Sequence, residues 1–229
     1  MDRKLKYIKK FNESLNVEID RKDIIKMVKN IDGVYEGDLK KYFRLVMKAP
    51  NAYAPYHNVR HMSHVFWESY DGALYMGLNK REMRNLLIAA LFHDYNHTGI
   101  KGDDSINIQR SFDALDEYLL EEDKPYIEEI KSAISATKYP YTDKKFTKNE
   151  LILRDADQSQ TFSPVWIQSI LYGLGKELEM SHEQMLKIQK PFLENMKFYT
   201  EWGINKFQPL IKPRLKLIDE MISLIEELD

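Results

Sequence analysis

Cysteine is absent from the 229-residue chain. That excludes disulfides, thiolate metal sites and a cysteine nucleophile, and it suits a reducing compartment. Glycine (9) and proline (8) are sparse, and no stretch has the composition of a flexible linker. Neither charge sign dominates. There are 34 Lys and Arg against 36 Asp and Glu, a formal net charge of −2, which argues against a polycationic nucleic-acid binder. The longest uninterrupted apolar run, Leu86 to Phe92, is far short of the ~18–20 residues that cross a bilayer. Met1 to Lys6 lead into no apolar stretch, so no signal peptide is read there. Repeats and low-complexity tracts are missing too. The expectation is a cytoplasmic protein of one domain, with neither membrane nor nucleic acid as a partner.

What is present reads as helix. Asn79-Lys80-Arg81-Glu82, Thr147-Lys148-Asn149-Glu150 and Ser181-His182-Glu183-Gln184 each put a capping residue three positions before Glu or Gln, the pattern that satisfies free N–H groups at a helix start. Met83, Leu86, Leu87, Ala90 and Leu91 then recur at helical spacing. Asp104 or Ser105 can cap a helix carrying Ile108, Phe112, Leu115 and Leu119, and Pro125 suits a first turn before Ile127, Ile130 and Ile134. The last segment lays Ile211, Leu215, Ile218, Ile222, Ile225 and Leu228 along one stripe. Period-two alternation is missing. These features predict an all-α, compact helical bundle over 1–229. Residues 1–50, with 13 basic and 8 acidic side chains, are expected to form N-terminal helices on a core of 51–229.

Of six histidines, five lie between His57 and His97. His57 and His61 are four apart, a spacing that on a helix would put them on one face. His93-Asp94 closes a very apolar helix, and Asp155 and Asp157 interrupt another. A lone buried histidine is more often a hydrogen-bonded core residue, the better reading for His64 and His182. Imidazole and carboxylate groups gathered at the ends and faces of apolar helices instead suit a borderline or hard divalent ion.

His61, His93-Asp94 and Asp157 resemble the signature of the HD superfamily of metal-dependent phosphohydrolases, which are helical bundles. Tyr56-His57-Asn58-x-x-His61, His93-Asp94-x-x-His97-x-Gly99 and Ala156-Asp157-x-Ser159 are similar to motifs of class I cyclic nucleotide phosphodiesterases. Gln189-x-x-Phe192 falls where that family binds and stacks a purine. The resemblance implies hydrolysis of a phosphodiester, a 3′,5′-cyclic nucleotide first, with two divalent ions (Zn, Mg, Mn or Fe) as cofactors. It implies His61, His93, Asp94 and Asp157 as ligands of the tighter ion, with Asp94 bridging to a second and Asp155 as the alternative ligand. By the same likeness His57 protonates the leaving oxygen, His97 contacts waters of the second ion, and Tyr56, Gln189 and Phe192 bind the nucleotide substrate.

The likeness has gaps. His64 and Trp67 stand where the family has Asp and Gln, Asn96 where it has Asp, and Gly102 where it has Asn. Ile108 and Arg110 offer no counterpart to its following Glu and His. Two alternatives stay open on these grounds: another HD phosphohydrolase acting on nucleotides, or a catalytically silent metal- or nucleotide-binding module.

Overall fold

Helices begin where the sequence supplies capping groups. The computed structural model describes residues 39–100, 104–139 and 146–227. Helix α1 spans Leu39–Val46, α2 Val59–Tyr75, α3 Lys80–Phe92, α4 Ser105–Tyr118, α5 Ile127–Ser135 and α6 Lys148–Gln158. A π-helix, Ile167–Leu174, runs into a helical turn at Gly175–Glu177, and α7 His182–Glu194, α8 Glu201–Lys206 and α9 Ile211–Glu226 follow. No strand occurs among the described residues.

The three anticipated capping boxes start α3, α6 and α7, with Asn79, Thr147 and Ser181 each bonded reciprocally to the residue three later. Asp104 holds the cap position of α4, but its side chain does not bond the helix N–H groups; it accepts from Asn107 Nδ2 at 3.2 Å. Pro125 falls in a 3₁₀ turn, Lys124–Tyr126, that leads into α5.

Helix α3 is the axis of the bundle. Every residue from Met83 to Phe92 is buried, as in a helix surrounded by others, and α1, α2, α4, α5 and α6 all touch it. Each fully buried Leu, Ile or Phe there contributes about 1.5–3 kcal/mol. Within this apolar helix Arg84 is tied down by Asp123, which accepts from Arg84 Nε and Nη2 (both 2.8 Å), Arg81 Nη1 (2.8 Å) and Tyr42 Oη (2.7 Å). Burial opposes the Asp123 charge, but these donors outweigh it and hold the carboxyl below its ordinary value. Tyr42 thereby fastens α1 to the core, where its ring also meets Phe92 edge-on.

The N-terminal helices expected over 1–50 lie outside the described residues as far as 38; the remainder is α1, with Leu39, Tyr42 and Val46 buried. The apolar stripe of α9 is buried only at Ile218. The helix packs on α7 along one edge, and Leu228 lies outside the described residues. The π-helix sits hard against the segment before α2. A Cβ on Gly173 would come within 2.7 Å of the Pro55 carbonyl oxygen, so only glycine permits that approach.

Candidate metal centre

Three helices converge on one point. Asn58 caps α2, its Oδ1 accepting from Arg60 N (2.8 Å) and His61 N (3.2 Å), which orients the first turn and sets His61 inward. His93 occupies the C-cap of α3, and Asp94 is the next residue. Asp157 lies in the last turn of α6.

The donor atoms meet at close range. His61 Nε2 is 3.3 Å from His93 Nε2, 3.2 Å from Asp94 Oδ2 and 3.1 Å from Asp157 Oδ1. His93 Nε2 is 3.1 Å from Asp94 Oδ2 and 3.7 Å from Asp157 Oδ1. His93 Nδ1 donates to the Ala90 carbonyl at 2.8 Å, which leaves its Nε2 as a lone pair in the neutral ring, the usual arrangement for a metal-bound imidazole. Two nitrogens and two carboxylate oxygens facing one another repel unless a cation or shared protons lie among them. Metal–N and metal–O bonds of about 2.0–2.2 Å put neighbouring ligand atoms about 3.0–3.6 Å apart, close to the separations found. The donor set could hold a divalent ion.

Electrostatics agree. Burial works against charge on His61, but hydrogen bonds to Asp157 and Asp94 outweigh it and push the ring up to about 9. The same carboxylates raise His93 despite its burial. Burial likewise opposes the charges of Asp94 and Asp157, yet His93 and His61 hold both carboxyls below their ordinary range.

A second group adjoins the first. Ligand-capable atoms of His57, Asp94 and His97 lie within 4.8 Å of one another, so Asp94 belongs to both groups. The His57 and His97 rings stack with centroids 3.6 Å apart. His97 Nδ1 faces the Gly99 N–H at 3.0 Å and its Nε2 faces Asn107 Nδ2 at 2.8 Å. Burial, aided by His57 against the pull of Asp94, pushes His97 down to about 4, so its ring is neutral at pH 7.

Asp155 stands apart from both groups. It accepts from Thr200 N (2.8 Å), Thr200 Oγ1 (2.7 Å) and Tyr199 N (3.1 Å), and burial raises it to about 6 in spite of these donors. Its carboxylate anchors the start of α8, where a Cβ on Gly203 would collide with it. His64, read as a core residue, is half-buried and bonded to Ser159 Oγ at 2.9 Å; His182, read likewise, is instead exposed in the first turn of α7, its ring against the exposed Tyr172.

Beside the centre is a cavity of about 500 Å³ whose walls include Tyr56, Asp157, Gln158, Thr161, Gln189 and Phe192. All three anticipated substrate residues thus line one space that reaches Asp157. Gln189 is buried, with its Oε1 lacking a hydrogen-bond partner. Helix α7 continues through Pro191 to Glu194, which keeps Gln189 and Phe192 on one helix.

Sequence reading missed several residues that build this site. Glu177 accepts from His57 Nδ1 (2.6 Å), Tyr56 N (2.7 Å) and His57 N (3.0 Å). Burial opposes its charge, but His57 and the two N–H groups hold its carboxyl below the ordinary value. Asn51 bonds the backbone on both sides of the site. Arg110 Nη1 donates to the Asn96 carbonyl at 3.0 Å and Ser111 Oγ to the His93 carbonyl at 2.7 Å. None belongs to a local motif; each is recognisable only by what it touches.

No family model, curated protein or solved structure matches this chain. Among the described residues, no helix is long and apolar enough to cross a membrane.

Proposed function

We propose that this protein is a metal-dependent phosphohydrolase that opens a 3′,5′-cyclic nucleotide to the nucleoside 5′-monophosphate. The observation that carries the reading is the position of Asp94. It lies 3.1–3.2 Å from the paired imidazoles of His93 and His61 and also groups with His57 and His97. A carboxylate common to two such groups suits a pair of divalent ions, with His61, His93, Asp94 and Asp157 around the tighter one. Bound there, such ions supply Lewis acidity toward the phosphoryl oxygens and acidify water.

The chain's own residues supply the rest. With Nδ1–H committed to Glu177, His57 keeps Nε2 for delivering a proton to the leaving ribose oxygen, the work of a general acid. His97, held neutral against His57, limits the ring's freedom to turn. Tyr56 and Phe192 line the cavity with aromatic faces suited to stacking on a nucleobase, and the Gln189 amide in the same wall, its Oε1 enclosed and unpartnered, can turn to hydrogen-bond the base edge.

The test is an assay of phosphate-ester hydrolysis on cyclic mononucleotides, cyclic dinucleotides and nucleoside monophosphates with Zn²⁺, Mn²⁺ or Mg²⁺ added. Turnover of a cyclic purine mononucleotide above the other classes is the expected result. Hydrolysis of nucleoside monophosphates alone would make it a nucleotide phosphatase, and metal binding without any turnover would leave a silent module.

A further inference from the structure

Asn51 lies in the turn after α1, outside every motif noted in the sequence, and is 6 % exposed. Its Nδ2 donates to the His57 carbonyl at 2.6 Å and to the Asp94 carbonyl at 2.7 Å. Its Oδ1 accepts from Asn96 N at 2.8 Å. The amide orientation is unambiguous, because two carbonyls require the NH₂ group and an N–H requires the oxygen. Both side-chain donors and the acceptor are thus spent on backbone, and all of that backbone belongs to the site. Asn96 is one of the few non-glycine residues with a left-handed φ, +60°, a conformation Asn tolerates better than most residues. The turn it makes brings His97 N to the Asp94 carbonyl at 3.1 Å.

From these contacts we infer that Asn51 is a positioning residue that sets the separation between the His57 imidazole and the Asp94 carboxylate. Glu177 grips His57 by its ring and N–H; Asn51 grips the same residue by its carbonyl and ties it to the loop that carries Asp94. His57 precedes α2 and Asp94 follows α3, so helix packing alone leaves both segments free to shift. A displacement of about 1 Å between catalytic groups can cost about 100-fold in rate. The inference rests on the phosphohydrolase reading for its kinetic consequence, though not for its structural one.

The test compares Asn51→Asp and Asn51→Ala with the wild type. The aspartate keeps an oxygen for Asn96 N–H but cannot donate to either carbonyl. In the metal-free protein, the carbon-bound ring protons of His57 experience the ring current of His97 stacked 3.6 Å away. Their NMR signals should move toward those of an exposed histidine in both variants, while His93, held by Ala90, stays unchanged. In the metal-loaded protein, kcat on an alkyl phosphodiester should fall about 100-fold, with little further loss when His57→Ala is added, because coupled residues are not additive. Unchanged His57 signals, fully additive kinetic losses, or loss of the folded state in both variants would each overturn the inference. A wild type that hydrolyses no phosphodiester would instead overturn the functional reading, and the NMR comparison would still decide the role of Asn51.

Discussion

His57 Nδ1 and Glu177 Oε2 lie 2.6 Å apart, across 120 residues of sequence, and the same carboxylate also receives the backbone N–H groups of Tyr56 and His57. A carboxylate holding one ring nitrogen fixes both the tautomer and the orientation of the other. His57→Ala should lower kcat by ~10²–10⁴-fold on a substrate with an alkoxide leaving group. Glu177→Gln should lower it less but in the same pattern. Both deficits should shrink with p-nitrophenolate, which departs without a proton. Equal losses on the two substrates would assign the pair another role.

Asp94→Ala removes a carboxylate that faces His61 and His93 and also groups with His57 and His97, so on the proposed reading elemental analysis should find most divalent metal lost and hydrolysis abolished. Asp157→Ala should weaken metal binding as well. Asp155→Ala should keep its metal yet lower the melting temperature, since Tyr199 N, Thr200 N and Thr200 Oγ1 would lose their acceptor at a cost of about 1–3 kcal/mol each. Full metal content in Asp94→Ala, or metal loss in Asp155→Ala, would contradict the ligand assignment.

On the proposed reading, protons and metal would compete for the same atoms. His61 is raised from 6.5 to about 9 in the metal-free protein. Its protonation therefore contributes stability that is complete below pH about 6.5 and lost as pH rises through about 9. The metal-free protein should melt at a lower temperature at pH 9.5 than at 7.5. Zinc binding near pH 7 should release protons from His61 and His93, which calorimetry in buffers of different ionisation heat would measure. Zinc binding without proton release would place the ion elsewhere.

Away from the site, Asp123→Ala leaves Arg84 buried without its carboxylate. Removing one partner of such a pair costs about 3–5 kcal/mol. Chemical denaturation should register that loss, and metal content should be unaltered. A change within the scatter of surface substitutions would mean that water replaces the carboxylate.

Gln189→Ala should raise KM for a cyclic purine nucleotide by the equivalent of ~1–3 kcal/mol of lost polar contact, with bis-p-nitrophenyl phosphate, which has no base, unaffected. Because Phe192 also packs against Tyr139, the kinetics of Phe192→Ala need a melting curve beside them. An unchanged KM in Gln189→Ala would leave a phosphohydrolase of unassigned substrate.

Much of this molecule is legible in the chain itself. Helix identity follows from 3.6-residue periodicity and from the caps at Asn79, Thr147 and Ser181, because those interactions are local. The ligand-capable set is legible too, since His61, His93, Asp94 and Asp157 interrupt apolar helices where ionisable groups are costly without partners. Only tertiary structure separates Asp157 from Asp155: two residues along α6 turn the side chains about 200° apart, and what each direction meets depends on α8 and α2. Glu177 is invisible for the same reason, its partner His57 lying 120 residues away; Asn51 and Arg110 reach carbonyls only 6 and 14 residues off, but no motif marks which carbonyl each will meet. The α9 stripe is periodic along its whole length, yet only Ile218 is buried, a difference that periodicity cannot show. Local chemistry determines the elements and the donors; long-range packing decides which donors meet.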